Sequence, residues 1–156
     1  MGKLLNINYI EFSPATKSLD LFVAGCNPPY CKDCCNPELM DFANGQEWHA
    51  WKDTIEKYFS RFDSLIDNIF LLGGSFNHQN EKSNEEILDF LSFYDKKIWL
   101  FAREDLDKIQ PIFKKYCSYI KCGEYIPDLY TTQNIQNGVR LATSNQKIFE
   151  KGKDYV

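Results

Sequence analysis

Cys26, Cys31, Cys34 and Cys35 stand within ten residues and make up four of the chain's six cysteines, in the run Phe22-Val-Ala-Gly-Cys-Asn-Pro-Pro-Tyr-Cys-Lys-Asp-Cys-Cys-Asn-Pro-Glu38. Thiolates are soft ligands, and the spacing CxxxxCxxC puts three of them on one short loop, where they can converge on an iron–sulfur cluster or supply most of a zinc site. Cys35 adjoins Cys34, and neighbouring side chains on an extended loop diverge, so Cys26, Cys31 and Cys34 are the natural ligand set. A cubane cluster is normally closed by four thiolates. Three ligands leave one iron open to a small molecule that chelates through an amine and a carboxylate. Pro28, Pro29 and Pro37 stiffen the loop and limit what a metal must order on binding.

Zinc is the competing chemistry. It takes four ligands, commonly as two close pairs, and the chain offers only Cys117 with Cys122 as a second pair, plus the two histidines His49 and His78. The missing closed set favours iron–sulfur. Isolated Cys117 and Cys122 read by default as small core residues, and His78 as a solvated loop residue.

The elements that must position this loop follow from periodicity. Residues 3–12 alternate apolar and polar, as in a half-buried edge strand, and Ser13-Pro14 breaks it. Leu19 to Ala24 is nearly continuous in apolar residues apart from Asp20, as in a strand covered on both faces, and it leads straight into Gly25-Cys26. Trp48, Trp51, Ile55, Tyr58, Phe59 and Phe62 recur at helical steps and predict an amphipathic helix whose aromatics belong to the core. Ile66 to Leu72 predicts a buried strand stopped by Gly73-Gly74. Ser83-Asn-Glu-Glu86 has the form of a capping box for a second helix through Ile87, Leu88, Leu91 and Tyr94. Lys97 to Ala102 predicts a strand, and Leu106, Ile109, Phe113 and Tyr116 a third helical stripe kinked or split at Pro111. Ser118 to Cys122 predicts a further strand ending at Gly123, and the tail after Asn137-Gly138 a last strand or hairpin.

This alternation predicts an α/β fold with a largely parallel sheet and crossover helices. Ligands bind such sheets at the C-terminal ends of their strands. The cysteine loop, Gly73-Gly74, Ala102-Arg103 and Gly123 each follow a predicted strand, so that one edge is the candidate site. Arg103 there reads as a surface ion-pair residue or a carboxylate binder.

The 156 residues and 44% apolar content suit one domain with a real core, and the net charge of −4 without a basic block argues against nucleic acid. No apolar run reaches membrane-spanning length, and the polar-interrupted start does not read as a signal peptide. A cytoplasmic protein is predicted, where close cysteines serve metal or redox chemistry rather than disulfides.

These residues resemble the radical S-adenosylmethionine (SAM) superfamily. The run from Cys26 to Phe42 is similar to the activating proteins of anaerobic (class III) ribonucleotide reductases. Gly45-Gln-Glu-Trp48 follows at the family's spacing, Phe70-Leu-Leu-Gly-Gly74 is similar to its glycine motif, and Ser144-Asn-Gln-Lys-Ile148 resembles its C-terminal segment. The family usually has three residues between the first two cysteines and continues the glycine motif as Gly-Gly-Glu-Pro. This chain has four residues there and Gly73-Gly74-Ser75-Phe76.

The resemblance implies a single radical SAM domain over residues 1–156, folded as a partial, open TIM-type barrel. It implies a [4Fe–4S] cluster on Cys26, Cys31 and Cys34, and SAM on the open iron with cofactor contacts at Asp33, Gly73, Gly74, Ser75 and Asn145. Reductive cleavage of SAM would give methionine and a 5′-deoxyadenosyl radical, which takes a hydrogen from a glycine Cα. No side-chain acid or base is required. The implied partners are the large glycyl-radical subunit of an anaerobic ribonucleotide reductase and an external electron donor such as a flavodoxin or ferredoxin. The same chemistry on another protein, peptide or small molecule is the alternative. A zinc-stabilised binding module or a small electron-transfer protein is the third reading.

Overall fold

The computed structural model describes residues 5–30 and 37–156. The described residues form nine strands and three α-helices, in the order β1 (Asn6–Ser13), β2 (Ser18–Val23), β3 (Gln46–Glu47), α1 (Lys52–Phe62), β4 (Asn68–Gly73), α2 (Glu81–Ser92), β5 (Lys97–Phe101), α3 (Pro111–Tyr116), β6 (Tyr119–Cys122), β7 (Ile135–Gln136), β8 (Val139–Arg140) and β9 (Lys147–Glu150). Seven strands form one mixed sheet in the order β3-β1-β2-β4-β5-β6-β9. Its centre, β2-β4-β5-β6, is parallel, while β1 and β3 on one side and β9 on the other run antiparallel to their neighbours. The first strand is therefore not the outermost one, because the two-residue β3 pairs along its far side.

Side-chain alternation divides the central strands between two clusters. Leu19, Leu21 and Val23 of β2, Ile69 and Leu71 of β4, Ile98 and Leu100 of β5, and Ile120 and Cys122 of β6 share one core with Ile55 and Phe59 of α1, Ile87, Leu88 and Leu91 of α2, and Phe113 of α3. Each such aliphatic side chain contributes roughly 1.5–3 kcal/mol by leaving water. The intervening residues Phe70, Leu72, Trp99, Phe101 and Tyr119 face the other way and meet Val139, Leu141 and Ile148 from the C-terminal segment. Helices thus cover one face, and the tail covers the other.

Local details follow from backbone chemistry. Helix α2 begins two residues ahead of the expected capping box: Asn80 is the N-cap, its side chain accepting from the amides of Lys82 and Ser83. Ser83 is therefore an interior helical residue. Pro111 opens α3 at its first turn, where the missing N–H costs nothing, after a separate 3₁₀ turn at Leu106–Lys108. Trp48–Trp51 is a 3₁₀ turn leading into α1, and Trp48 is 1% exposed in the core. Asn137 and Gly138, at φ 51° and 78°, form the two-residue turn of the β7–β8 hairpin. Asp20, the one charge within β2, is buried and accepts from Ser13 and Ser18. Among the described residues no helix is long and apolar enough to cross a membrane.

Candidate metal centre and adjoining cavity

The chain leaves β2 through Ala24, Gly25 and Cys26, and backbone hydrogen bonds pin this exit on both sides. Gly25 N–H donates to Leu39 O (2.7 Å) and Cys26 N–H to Met40 O (3.2 Å), while Gly74 N–H donates to Val23 O and Ser75 N–H to Gly25 O, both at 2.8 Å. The close approach needs glycine. A Cβ on Gly74 would lie 2.6 Å from both Gly25 O and Leu39 O. Gly73 adopts φ +101°, and a Cβ there would meet Val23 backbone atoms at 2.6 Å. The two glycines after β4 thus let its exit lie directly against the start of the cysteine loop.

Gln79, 5% exposed, reinforces the junction: its Nε2 lies 3.1 Å from Ala24 O, 3.2 Å from Gly25 O and 2.9 Å from Ser75 O. Beyond it, a polar network reaches the loop itself. Asn27 N–H donates to His78 Nδ1 (2.8 Å), and Arg103 donates from Nη2 to Asn27 O (2.5 Å) and from Nη1 to Pro29 O. Glu104 ties these two side chains together: Oε2 accepts from His78 Nε2 at 2.8 Å and from Arg103 Nε at 3.1 Å, and Oε1 accepts from Asn77 Nδ2 at 3.0 Å. Burial would raise the Glu104 pKa, but the bonds from His78, Asn77 and Arg103 hold it down at about 2.

His78 is pulled in opposite directions. Burial disfavours its charge, yet hydrogen bonding with Cys26 and Glu104 outweighs this and pushes the ring up to about 9. The contact with Asn27 N–H needs an unprotonated Nδ1, so it belongs to the neutral ring, which donates from Nε2 to Glu104, and protonation of Nδ1 would release it. The expectation of a solvated loop histidine is corrected: the His78 side chain is 9% exposed beneath the loop. Arg103 is likewise no surface ion-pair residue, at 17% exposure and bonded to loop carbonyls.

A cavity of about 350 Å³ opens beside Cys26 on the sheet face opposite the helices, within the range of small-molecule sites. Phe22, Leu72, Phe101 and Leu141 supply apolar wall, and Gly73, Gly74, Ser75 and Cys26 form its rim on the loop side. Of the sequence-predicted cofactor contacts, Gly73, Gly74 and Ser75 therefore share one cavity with Cys26. Asn145 does not line it: it is exposed, with Nδ2 donating to Glu124 O and Oδ1 accepting from Thr143. Its neighbour Gln146 does, 6% exposed and donating to Gly123 O. Cys31, Cys34, Asp33 and the leftover Cys35 lie outside the described residues. Sequence reading missed Gln79, Glu104 and Lys121, whereas Gln146 belongs to the segment 144–148 that it singled out. For Gln79 and Glu104 the available sign was position, since each follows a predicted strand end.

The residues present fit an iron–sulfur group with an added ligand. Cys26 is a half-buried free thiol at the cavity rim, and among the described residues no cluster of three or more His, Cys, Asp or Glu forms a competing metal site. Cys117 and Cys122 are buried in the helix-side core, which keeps them from completing a zinc set with Cys26. Burial pushes Cys122 up to about 12 and Cys117 higher still, as for inert thiols. The Ser75 hydroxyl, in the cavity wall and 4% exposed, has no hydrogen-bond partner among the described residues. An orphaned polar atom in such a wall fits a polar ligand.

The model of a family described as a 4Fe–4S single cluster domain matches residues 16–149. No curated protein and no solved structure matches the chain.

Proposed function

The chain belongs to the 4Fe–4S single cluster domain family and is an iron–sulfur protein, and on that premise we propose that it is a radical SAM activase of an anaerobic ribonucleotide reductase. One observation carries the step from cluster to SAM: Cys26 shares a ligand-sized cavity with Gly73, Gly74 and Ser75, whose hydroxyl has no partner among the described residues, at the C-terminal ends of parallel strands. When bound, a cluster with one open iron supplies the electron that splits the sulfonium of SAM.

The chain's own residues bind and orient. Cys26, with Cys31 and Cys34, would hold the cluster. Gly73 and Gly74 keep the wall thin enough for a ligand's amino group to approach backbone carbonyls. Ser75, where the family carries Glu, offers a hydroxyl to the same group. Phe22, Leu72, Phe101 and Leu141 keep water from a reactive species and suit a nucleoside's apolar faces. The four parallel strands with helices on one face are read as part of an open TIM-type barrel, whose mouth admits a glycine-bearing loop of the large reductase subunit. A flavodoxin or ferredoxin would be the electron donor.

The partner assignment is tested by incubating the reconstituted protein anaerobically with SAM, a strong reductant and a class III reductase chain. A glycyl-radical doublet in the electron paramagnetic resonance (EPR) spectrum is expected. SAM cleavage without that doublet would move the assignment to another protein, peptide or small-molecule substrate.

A further inference from the structure

Resting on the iron–sulfur reading above, we propose that Glu104 is a positioning residue that, through His78 and Arg103, latches the start of the cysteine loop at Asn27 and Pro29, beside Cys26. The described start of the loop, residues 27–30, is exposed and buries little apolar surface, so hydrogen bonds set its position. Asn27, next to the ligand Cys26, is gripped at both backbone groups: its N–H by His78 and its carbonyl by Arg103, which also takes Pro29 O. Neither side chain would hold that pose unaided. Each bonds to the same carboxylate oxygen of Glu104, at 2.8 and 3.1 Å, and Asn77 fixes the other oxygen.

The latch is rooted in the fold. Asn77 Oδ1 accepts from Gln110 N–H at the N-cap of α3, and Gln110 Nε2 donates to Asn77 O and Gln79 O. A carboxylate, an imidazole and a guanidinium, at 16%, 9% and 17% side-chain exposure, thus join the loop after β2 to the ends of β4 and β5. Partners that orient metal ligands in this way typically change metal affinity by about tenfold to a hundredfold when removed. None of these side chains need touch the cluster. Their role is to shape the loop before it binds.

The test compares wild type with Glu104→Gln and Arg103→Lys. Lysine keeps the charge but cannot bridge two carbonyls and a carboxylate at once. Apo-proteins are checked for unchanged far-UV circular dichroism, then digested with trypsin, which cuts after Lys32 within the loop. Reconstituted proteins are timed for iron release to a chelator. Both variants are expected to keep the fold, to be cut faster at Lys32, and to release iron about tenfold to a hundredfold faster. If wild type loads a cluster and either readout is unchanged in the variants, the latch is overturned. If Glu104→Gln does not fold, Arg103→Lys decides alone. If wild type takes up no cluster, the iron–sulfur reading fails and the latch falls with it.

Discussion

A single thiol, Cys26, links the described fold to the proposed metal. Its backbone is held by Met40 and its sulfur stands at the cavity rim, so Cys26→Ala is expected to abolish cluster assembly while leaving the sheet intact, checked by iron content and circular dichroism. By the same ligand assignment, Cys35→Ala is expected to load a full cluster, and its loss there would overturn the choice of Cys34. The two core thiols behave differently. Because burial raises the Cys117 and Cys122 pKa values above the ordinary 9.0, both remain protonated in the folded protein where an unfolded chain would ionise them. Their stabilisation is therefore complete below about pH 8.5 and declines as pH rises toward the folded values. Urea midpoints of the apo-protein should fall between pH 8 and 10, and fall less in Cys117→Ala/Cys122→Ala; equal slopes would contradict this.

At the scale of elements, the junction between the exits of β2 and β4 decides whether a site forms. Gly74→Ala would push a methyl to within 2.6 Å of two carbonyl oxygens, and overpacking of this kind costs about 1–3 kcal/mol. A lowered melting temperature is expected in the apo-protein, and an unchanged one would show that the exits can separate freely. Gln79→Ala should cost a similar amount by leaving buried carbonyls short of a donor. Element order was legible in the sequence because short apolar runs and period-3.6 stripes alternate from Leu19 to Cys122. Boundaries were less so. Ser83-x-x-Glu86 satisfies a capping pattern, yet Asn80 caps α2, because a pattern cannot tell which of two polar residues the chain turns at. Gln79, Glu104 and Gln110 were invisible for a related reason: their role is to bond residues 26 to 55 positions away, and no local periodicity records that.

For the whole molecule, a one-sided arrangement sets the function. Helices α1 to α3 bury one face of the sheet, and the other keeps a cavity roofed by the C-terminal segment around Leu141 and Gln146. The cysteine spacing made the metal legible, and Gly73-Gly74 after a strand made the neighbouring wall legible. The cavity's apolar lining was not, since Phe22, Leu72 and Phe101 come from three strands that meet only in the folded sheet. The most direct measurement is product analysis after anaerobic reconstitution with iron and sulfide, strong reduction and addition of SAM. About four irons per chain, charge-transfer absorption near ~400 nm, and release of 5′-deoxyadenosine and methionine are the predicted results. Stoichiometric zinc without that absorption, or a fully reduced cluster that leaves SAM intact, would contradict the account.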